Sequence, residues 1–340
     1  MIEVKDLVKV YGDHIAVDHL SFTVQDGQIY GFLGPNGAGK STTMNIMTGY
    51  LAASGGSVII NGHDILKDTE AAKKEIGYLP EIPPVYTDMT VLEYLRFVAE
   101  LKKVPRQVRA GQIAEVMEMT AIDEMQDRLI KNLSKGYRQR VGMAQAILGN
   151  PNVIILDEPM VGLDPKQIIE IRNLIKELSK NRTIIISSHI LAEISEICDH
   201  ILIIENGQKR ADGTLEEIES LAKDGSYHYV YTFECPEEDP TMSQTICDMF
   251  EELSIPIEKI SFIGDYAEYE VSMDQDLRKE VFEACAQRGL VIYGLVHQDM
   301  TLEDTFLKIT GEGKEKRKIS FRNKKMNRAT DADEEFMGGE

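Results

Sequence analysis

The octapeptide Gly34-Pro35-Asn36-Gly37-Ala38-Gly39-Lys40-Ser41 constrains this chain more than any other stretch of it. It fits the pattern GxxxxGK[ST]. A strand-like apolar run, Gln28 to Leu33, leads into it and a helical stretch, Thr42 to Tyr50, leaves it. Glycines let such a loop curl until its backbone N–H groups point inward, and the following helix N-terminus adds partial positive charge. A polyphosphate fits that cradle, with Lys40 reaching the β- and γ-phosphates and the Ser41 hydroxyl ligating Mg²⁺. A chance match in a chain of ordinary composition is on the order of 1%, and the flanking strand and helix lower it further. The loop predicts a nucleoside triphosphate site and leaves GTPases, kinases and many ATPases open.

A second buried strand, Val153 to Leu156, ends in Asp157-Glu158. A carboxylate at a strand end beside a phosphate loop completes the Mg²⁺ shell, which suits Asp157. Glu158, one residue further on, can face the γ-phosphate and polarise the attacking water. Upstream, Leu133-Ser134-Lys135-Gly136-Tyr137-Arg138-Gln139-Arg140 opens a helical run through Leu148. Here the chain resembles the ATP-binding cassette (ABC) ATPases, whose signature motif the Ser-x-Gly-x-x-x-Arg element is similar to. The Ser134 hydroxyl and N–H groups at that helix start make a second phosphate cradle. In the family, Ser134 and Gly136 would act on the nucleotide held by the other subunit, so the resemblance implies a head-to-tail dimer around two ATP molecules.

The resemblance extends over roughly residues 1 to 222 and assigns further positions. Gly34, Asn36, Gly37, Gly39 and Thr42 would contact the nucleotide beside Lys40 and Ser41. Tyr11 stands where the family stacks an aromatic ring on adenine. Gly162-Leu163-Asp164-Pro165 matches the D-loop and would place Asp164 at the dimer seam. His189, after the strand Thr183 to Ile186, stands where a histidine contacts the γ-phosphate. One position departs from the usual pattern: Ile76-Gly77-Tyr78-Leu79-Pro80-Glu81 carries Glu81 where most members have a glutamine near Mg²⁺ and water, and the resemblance implies Glu81 as a Mg²⁺ ligand in its place. The wording of Gly34 to Tyr50 and of Tyr78 to Leu95 is most similar to the exporter branch associated with drug resistance, antibiotic immunity and gliding motility. Thr90-Val91-Leu92-Glu93 is a capping box that opens an amphipathic helix. It begins a helical insert, about residues 87 to 150, that in the family docks onto a membrane partner.

The 340 residues carry a net charge of −20, distributed in blocks. There are 23 basic and 27 acidic side chains through residue 211, 6 and 23 over residues 212–310, and 8 and 7 over residues 311–340. These shifts mark boundaries near 212 and 311; with the resemblance reaching about residue 222, the expected division is an ATPase domain (1–222), an acidic accessory domain (223–310) and a charged tail (311–340). In the accessory domain Tyr227, Tyr229, Tyr231 and Phe233 alternate as in a strand, while Ile246, Met249, Phe250 and Leu253 share a helical face. Ile257 to Ile263 and Tyr266 to Met273 read as a hairpin around Gly264-Asp265. A helix through Leu277, Val281 and Cys285 and a strand from Leu290 to Val296 complete β-α-β-β-α-β, the order of a ferredoxin-like unit. Thr301 to Leu307 resembles a short closing helix.

The fold class expected is therefore α/β: a P-loop ABC ATPase domain with a helical insert, then a small α+β domain and a polar tail. Strongly acidic charge argues against nucleic acid. The basic stretch Lys314 to Arg328 could lie on anionic lipid or be a solvated end. Four dispersed cysteines without a CxxC pattern argue against zinc and fit a reduced compartment. With no signal-like N-terminus or membrane-length apolar run, the chain is expected in the cytoplasm, peripheral on the inner face of the membrane. The resemblance implies ATP and Mg²⁺ as cofactors, a second cassette (a homodimer), and a separate integral membrane permease, in an exporter. The competing reading is a cytosolic, non-transport ABC ATPase acting on ribosomes or in DNA repair. Ribosome-acting members usually carry two cassettes per chain, and DNA-repair members split theirs with a long coiled coil; this chain does neither. A binding module without turnover would lack the carboxylate that Glu158 supplies.

Overall fold

The computed structural model of the protein describes residues 1–222, 227–235, 240–297 and 306. Contacts divide the chain into two units, Met1–Ile218 and Glu219–Glu340. The first opens with β1 (Ile2–Tyr11) and β2 (His14–Val24), enters β3 (Ile29–Leu33) and α1 (Lys40–Met47), and returns through β4 (Gly55–Ile60) and the short β5 (His63–Asp64). Next come α2 (Thr69–Lys74) and β6 (Ile76–Leu79), then three longer helices, α3 (Val91–Leu101), α4 (Arg106–Met119) and α5 (Lys135–Ile147). The unit finishes with β7 (Val153–Leu156), α6 (Pro165–Ser179), β8 (Thr183–Ser188), α7 (Leu191–Ser195), β9 (His200–Glu205) and β10 (Gln208–Gly213). The division falls inside α8 (Leu215–Ala222).

Two sheets form this unit. One runs β10-β9-β3-β8-β7-β6, parallel except for β10 at its edge. Its central strands β3, β7 and β8 are buried along their whole length, as the uninterrupted apolar sequence of a parallel sheet covered on both faces requires. The other sheet, β2-β1-β4-β5, is antiparallel, and its buried residues Ile2, Val4, Leu7, Val17, Leu20 and Phe22 form one core with Tyr30 and Phe32 of β3 and Met44 and Ile46 of α1. Register aligns the carboxyl ends of the parallel strands: Leu33 pairs with Ser188, Leu156 with Ile186, and Leu79 with Leu156. The loops that follow β3, β6, β7 and β8 therefore leave from the same edge, where open α/β sheets bind ligands.

Local signals explain the helix ends. Thr90 accepts from the Glu93 N–H and the Glu93 carboxylate accepts from the Thr90 N–H, so the capping box is present at the start of α3. Asp164 caps α6, with Pro165 in its first turn. α1 is shorter at its end than the sequence suggested. Gly49 adopts φ +66°, and the Gly49 and Tyr50 N–H groups close back on the Ile46 and Asn45 carbonyls, a glycine-terminated stop.

The second unit contains β11 (Tyr227–Glu234), α9 (Pro240–Glu252), β12 (Ile257–Ile263), β13 (Tyr266–Met273), α10 (Arg278–Arg288) and β14 (Ile292–His297). Its sheet is antiparallel in the order β12-β13-β11-β14, the ferredoxin-like arrangement read from the sequence. Tyr229, Tyr231 and Phe233 are buried on one face with Phe250 and Met249 of α9 and Val281 and Cys285 of α10. The alternating aromatics are core residues. The expected closing helix at Thr301 to Leu307 and the tail lie outside the described residues, apart from Phe306.

Candidate functional site

The loop after β3 is pinned from below. The Gly207 N–H, between β9 and β10, donates to the Ala38 carbonyl at 2.9 Å, and the Gly207 carbonyl accepts from the Asp18 N–H of β2 at 2.9 Å. Gly39 has φ +104°, and a Cβ there would stand 2.5 Å from the Ala16 carbonyl oxygen, so only glycine fits. Lys40 follows as the first residue of α1, with 5% of its surface exposed. Its Nζ donates to the carbonyls of Gly34 (2.6 Å) and Pro35 (3.2 Å) and lies 3.5 Å from the Glu158 carboxylate. The ammonium is thus held at the mouth of the loop by groups that compensate its burial.

Asp157 and Glu158 leave the end of β7 in different directions. Asp157 is buried and accepts a hydrogen bond from the Ser187 hydroxyl at 2.6 Å, with the Ser41 hydroxyl nearby. Burial pushes its carboxyl above the usual carboxylate range, while the bond from Ser187, the Ser41 hydroxyl and the nearby Lys40 charge pull the other way. Glu158 has φ +48°, in the left-handed region that a residue with a side chain enters at a cost of order 1–3 kcal/mol. Its N–H donates to the Ser187 hydroxyl at 2.9 Å, and its carboxylate meets His189 Nδ1 at 3.0 Å. Ser187 therefore fixes both acids: it donates to one side chain and accepts from the backbone of the other. The sequence reading passed over it, although a hydroxyl directly after the apolar run of β8 and two residues before His189 was its visible signal.

These groups open into one cavity of about 510 Å³, lined by Asn36, Gly37, Gly39, Lys40, Ser41 and Thr42 on one side. Glu81, Glu158 and His189 line the same cavity, together with Tyr11 at the end of β1. The Tyr11 ring is 48% exposed, with the Lys9 ammonium 5.0 Å from its centre. His14, Ala16 and Val161 also line the cavity and were not anticipated. Gly34 lies buried beneath the loop, and Asp157 joins the cavity through Ser41.

Ser134, Gly136 and Asp164 are not among the lining residues. They gather around the starts of α5 and α6 instead. Ser134 caps α5 by accepting from the Tyr137 N–H, and Asp164 caps α6 by accepting from the Gln167 N–H at 3.0 Å. The Gln167 side chain covers Gly136 so closely that a Cβ there would lie 2.4 Å from its Oε1.

The donor chemistry fits a nucleotide and a hard cation. A hydroxyl and a carboxylate, Ser41 and Asp157, stand near one another, and oxygen ligands are what Mg²⁺ takes. Among the described residues no group of three or more His, Cys, Asp or Glu is placed to hold a metal alone. A cation here would draw on few protein ligands and share the phosphate oxygens, as Mg²⁺ does at nucleotide sites.

A parallel sheet with a phosphate loop at its carboxyl edge, an acid pair on the neighbouring strand and a histidine beyond defines a P-loop ATPase. The sequence profile of the ABC transporter family matches residues 17–161. An uncharacterised ABC transporter ATP-binding protein of Bacillus subtilis, YhcH, is 34% identical over 93% of this chain and 97% of its own length. The bacitracin transport ATP-binding protein BcrA of Bacillus licheniformis is 33% identical over 92% of this chain and 98% of its own. Among solved structures, an ATP-binding subunit of an ABC transporter superposes with a TM-score of 0.60 at 31% identity, covering 65% of this chain and 92% of that one. The chain belongs to the ABC transporter ATP-binding proteins. It is an ATP-hydrolysing subunit that works with a membrane permease; these likenesses lend nothing to the non-transport alternative. No helix among the described residues is long and apolar enough to cross a membrane.

Proposed function

We propose that two copies of this chain close around two Mg-ATP molecules and drive a separate permease in export, from the inner face of the membrane. The observation that carries this reading is the division of the site into two groups. Lys40, Ser41, Glu158 and His189 surround one cavity, while Ser134, Gly136 and Asp164 lie at the starts of α5 and α6 and do not line it. Each group is half of a site that a second copy would complete. The bacitracin transport protein, similar along nearly its full length, supports the transport role, and the exporter-like wording of Gly34 to Tyr50 and Tyr78 to Leu95 supports export as the direction.

In this reading Tyr11 stacks on the base, the loop N–H groups and Lys40 hold the β- and γ-phosphates, and Ser134 and Gly136 of the second copy bind the γ-phosphate from the other side. Bound Mg²⁺, held by Ser41 and Asp157 with Glu81 nearby, would neutralise phosphate charge. Glu158 is the group that takes the proton of the attacking water. His189, bonded to it, orients the carboxylate and reaches the γ-phosphate. Lys40 lies 3.5 Å from the same carboxylate, so phosphate entering the cavity competes with Glu158 for the ammonium and leaves the base freer to act.

Glu158→Gln tests this. The amide keeps the shape of the side chain and removes its basicity, so turnover should fall about 10²-fold or more while ATP binding persists. Isolated from solubilised membranes with ATP, this variant should carry a polytopic membrane protein in stoichiometric yield. Near wild-type turnover would remove Glu158 as the base, and co-purifying ribosomal or DNA-repair proteins without a membrane protein would remove the transport reading.

A further inference from the structure

In the second unit α9 and α10 share the core on one face of the sheet, and the other face carries a patch with its own chemistry. Tyr266 and Tyr293 stand edge to face, ring centres 5.2 Å apart, and are 40% and 53% exposed. The Tyr293 hydroxyl donates to the Glu234 carboxylate at 2.7 Å, and Glu234 pairs with Tyr266 across β11 and β13. Glu268, two residues along β13 from Tyr266, adds a carboxylate on the same face, and Ile263, opposite Tyr266 on β12, is 59% exposed. Aromatic rings flanked by carboxylates and an aliphatic side chain recognise lysine or arginine on a segment that also carries apolar side chains.

The part of this unit that carries the sheet supplies few cations of its own. Residues 212–310 hold 6 basic against 23 acidic side chains. Lys259, Arg278, Lys279 and Arg288 already meet Glu270, Asp276, Glu283 and Glu252. The charge that would balance the patch follows in the same chain. Lys314 to Arg328 holds eight basic residues against one acid, Glu315, with Ile319, Phe321 and Met326 interspersed. Between His297, the last residue of β14, and Lys314 lie residues 298–313. That stretch can span up to about 50 Å, against about 15 Å across a four-stranded sheet.

We propose that residues 314–328 dock on this face of their own chain, with lysine or arginine side chains over Tyr266 and Tyr293 and against Glu234 and Glu268. A tether of this length presents the segment at about millimolar effective concentration, so weak contacts suffice. Docking would also withhold the basic segment from other anionic surfaces, which makes its release a point of control.

The test uses the full chain with a photo-reactive benzoylphenylalanine at Ser261, on the same face opposite Glu268. Light and isotope-heavy chains are mixed before irradiation and the products are sequenced by mass. The expected result is cross-linking to peptides from residues 314–328 within one isotope class, lost near 1 M salt, where screening acts within about 3 Å. Glu234→Lys with Glu268→Lys should lower the yield at least about fivefold, while the amide hydrogen-exchange protection of β11 and β13, the check that this unit stays folded, is unchanged. Absence of cross-links to this segment overturns the proposal. Cross-links between isotope classes overturn it in favour of a second copy. Cross-links that vanish only with phosphatidylserine vesicles support it, as competition for a docked segment. Vesicle binding equal in wild type and double variant, with no cross-link in either, makes lipid the occupant and overturns it.

Discussion

Ser187 shows how much of the site depends on one hydroxyl. It has no exposed surface, donates to Asp157 at 2.6 Å and accepts from the Glu158 N–H at 2.9 Å. Removing it leaves a buried N–H and a buried carboxylate short of a partner, a loss of about 1–3 kcal/mol. Ser187→Ala should therefore lower stability by that order and lower kcat more than ATP affinity, because Glu158 would leave its left-handed conformation while the phosphate loop stays intact. Restoration by Ser187→Thr, which returns the hydroxyl, would separate positioning from packing; equal loss of binding and turnover would place the defect in the loop instead. At this scale the sequence was partly legible. Lys40, Asp157, Glu158 and His189 could be named because each belongs to a short local pattern. Ser187 could not, because its two partners lie on β7, about 30 residues away, and only the pairing of β7 with β8 brings them together.

Among the elements, α5 is held at both ends by groups of different visibility. Ser134 and the following residues mark its start in the sequence. Its end is closed by Lys102, from beyond α3, whose Nζ donates to the carbonyls of Gln145 (2.7 Å), Ala146 (3.0 Å) and Leu148 (2.7 Å). A cation suits a helix C-terminus, yet here no carboxylate among the described residues pairs with it, and burial lowers the lysine pKa to about 8. Between that value and the ordinary lysine value the unfolded chain holds a proton that the folded chain has lost. This residue's contribution to stability thus rises with pH over that window and is constant below it. Lys102→Met keeps most of the stem and removes the titration. Wild-type stability minus variant stability should climb from about pH 8 to pH 10 in chemical denaturation, and a flat difference would mean that the ammonium is not desolvated. The capping box of α3 was readable because it spans four residues, and the alternation of β11 because a sheet repeats every two. The closure of α5 was not, since Lys102 and Ala146 meet only after the helices pack.

On the scale of the whole molecule, the order of motifs along the chain was legible, and the ferredoxin-like order of the second unit followed from periodicity and the Gly264-Asp265 turn. The separation of the site into two groups lay in geometry: Ser134, Gly136 and Asp164 sit at helix starts and do not line the cavity around Lys40 and Glu158. That separation has a consequence in mixtures. Lys40→Ala removes the phosphate-binding ammonium, and Gly136→Asp puts a carboxylate where even a Cβ meets the Gln167 side chain and where the second nucleotide would bind. Each variant alone should be inactive. In a head-to-tail dimer of one of each, both defects fall in the same site and the other site is wild type on both sides. Equal mixing of independent sites should therefore restore about a quarter of wild-type ATPase activity, a stoichiometry set by two-fold symmetry. If each chain instead formed a complete site by itself, every site would carry one defect and mixing would restore nothing. A steady-state ATPase measurement on the mixture after subunit exchange distinguishes the two, and zero recovery with confirmed heterodimers would remove Ser134 and Gly136 from the nucleotide site.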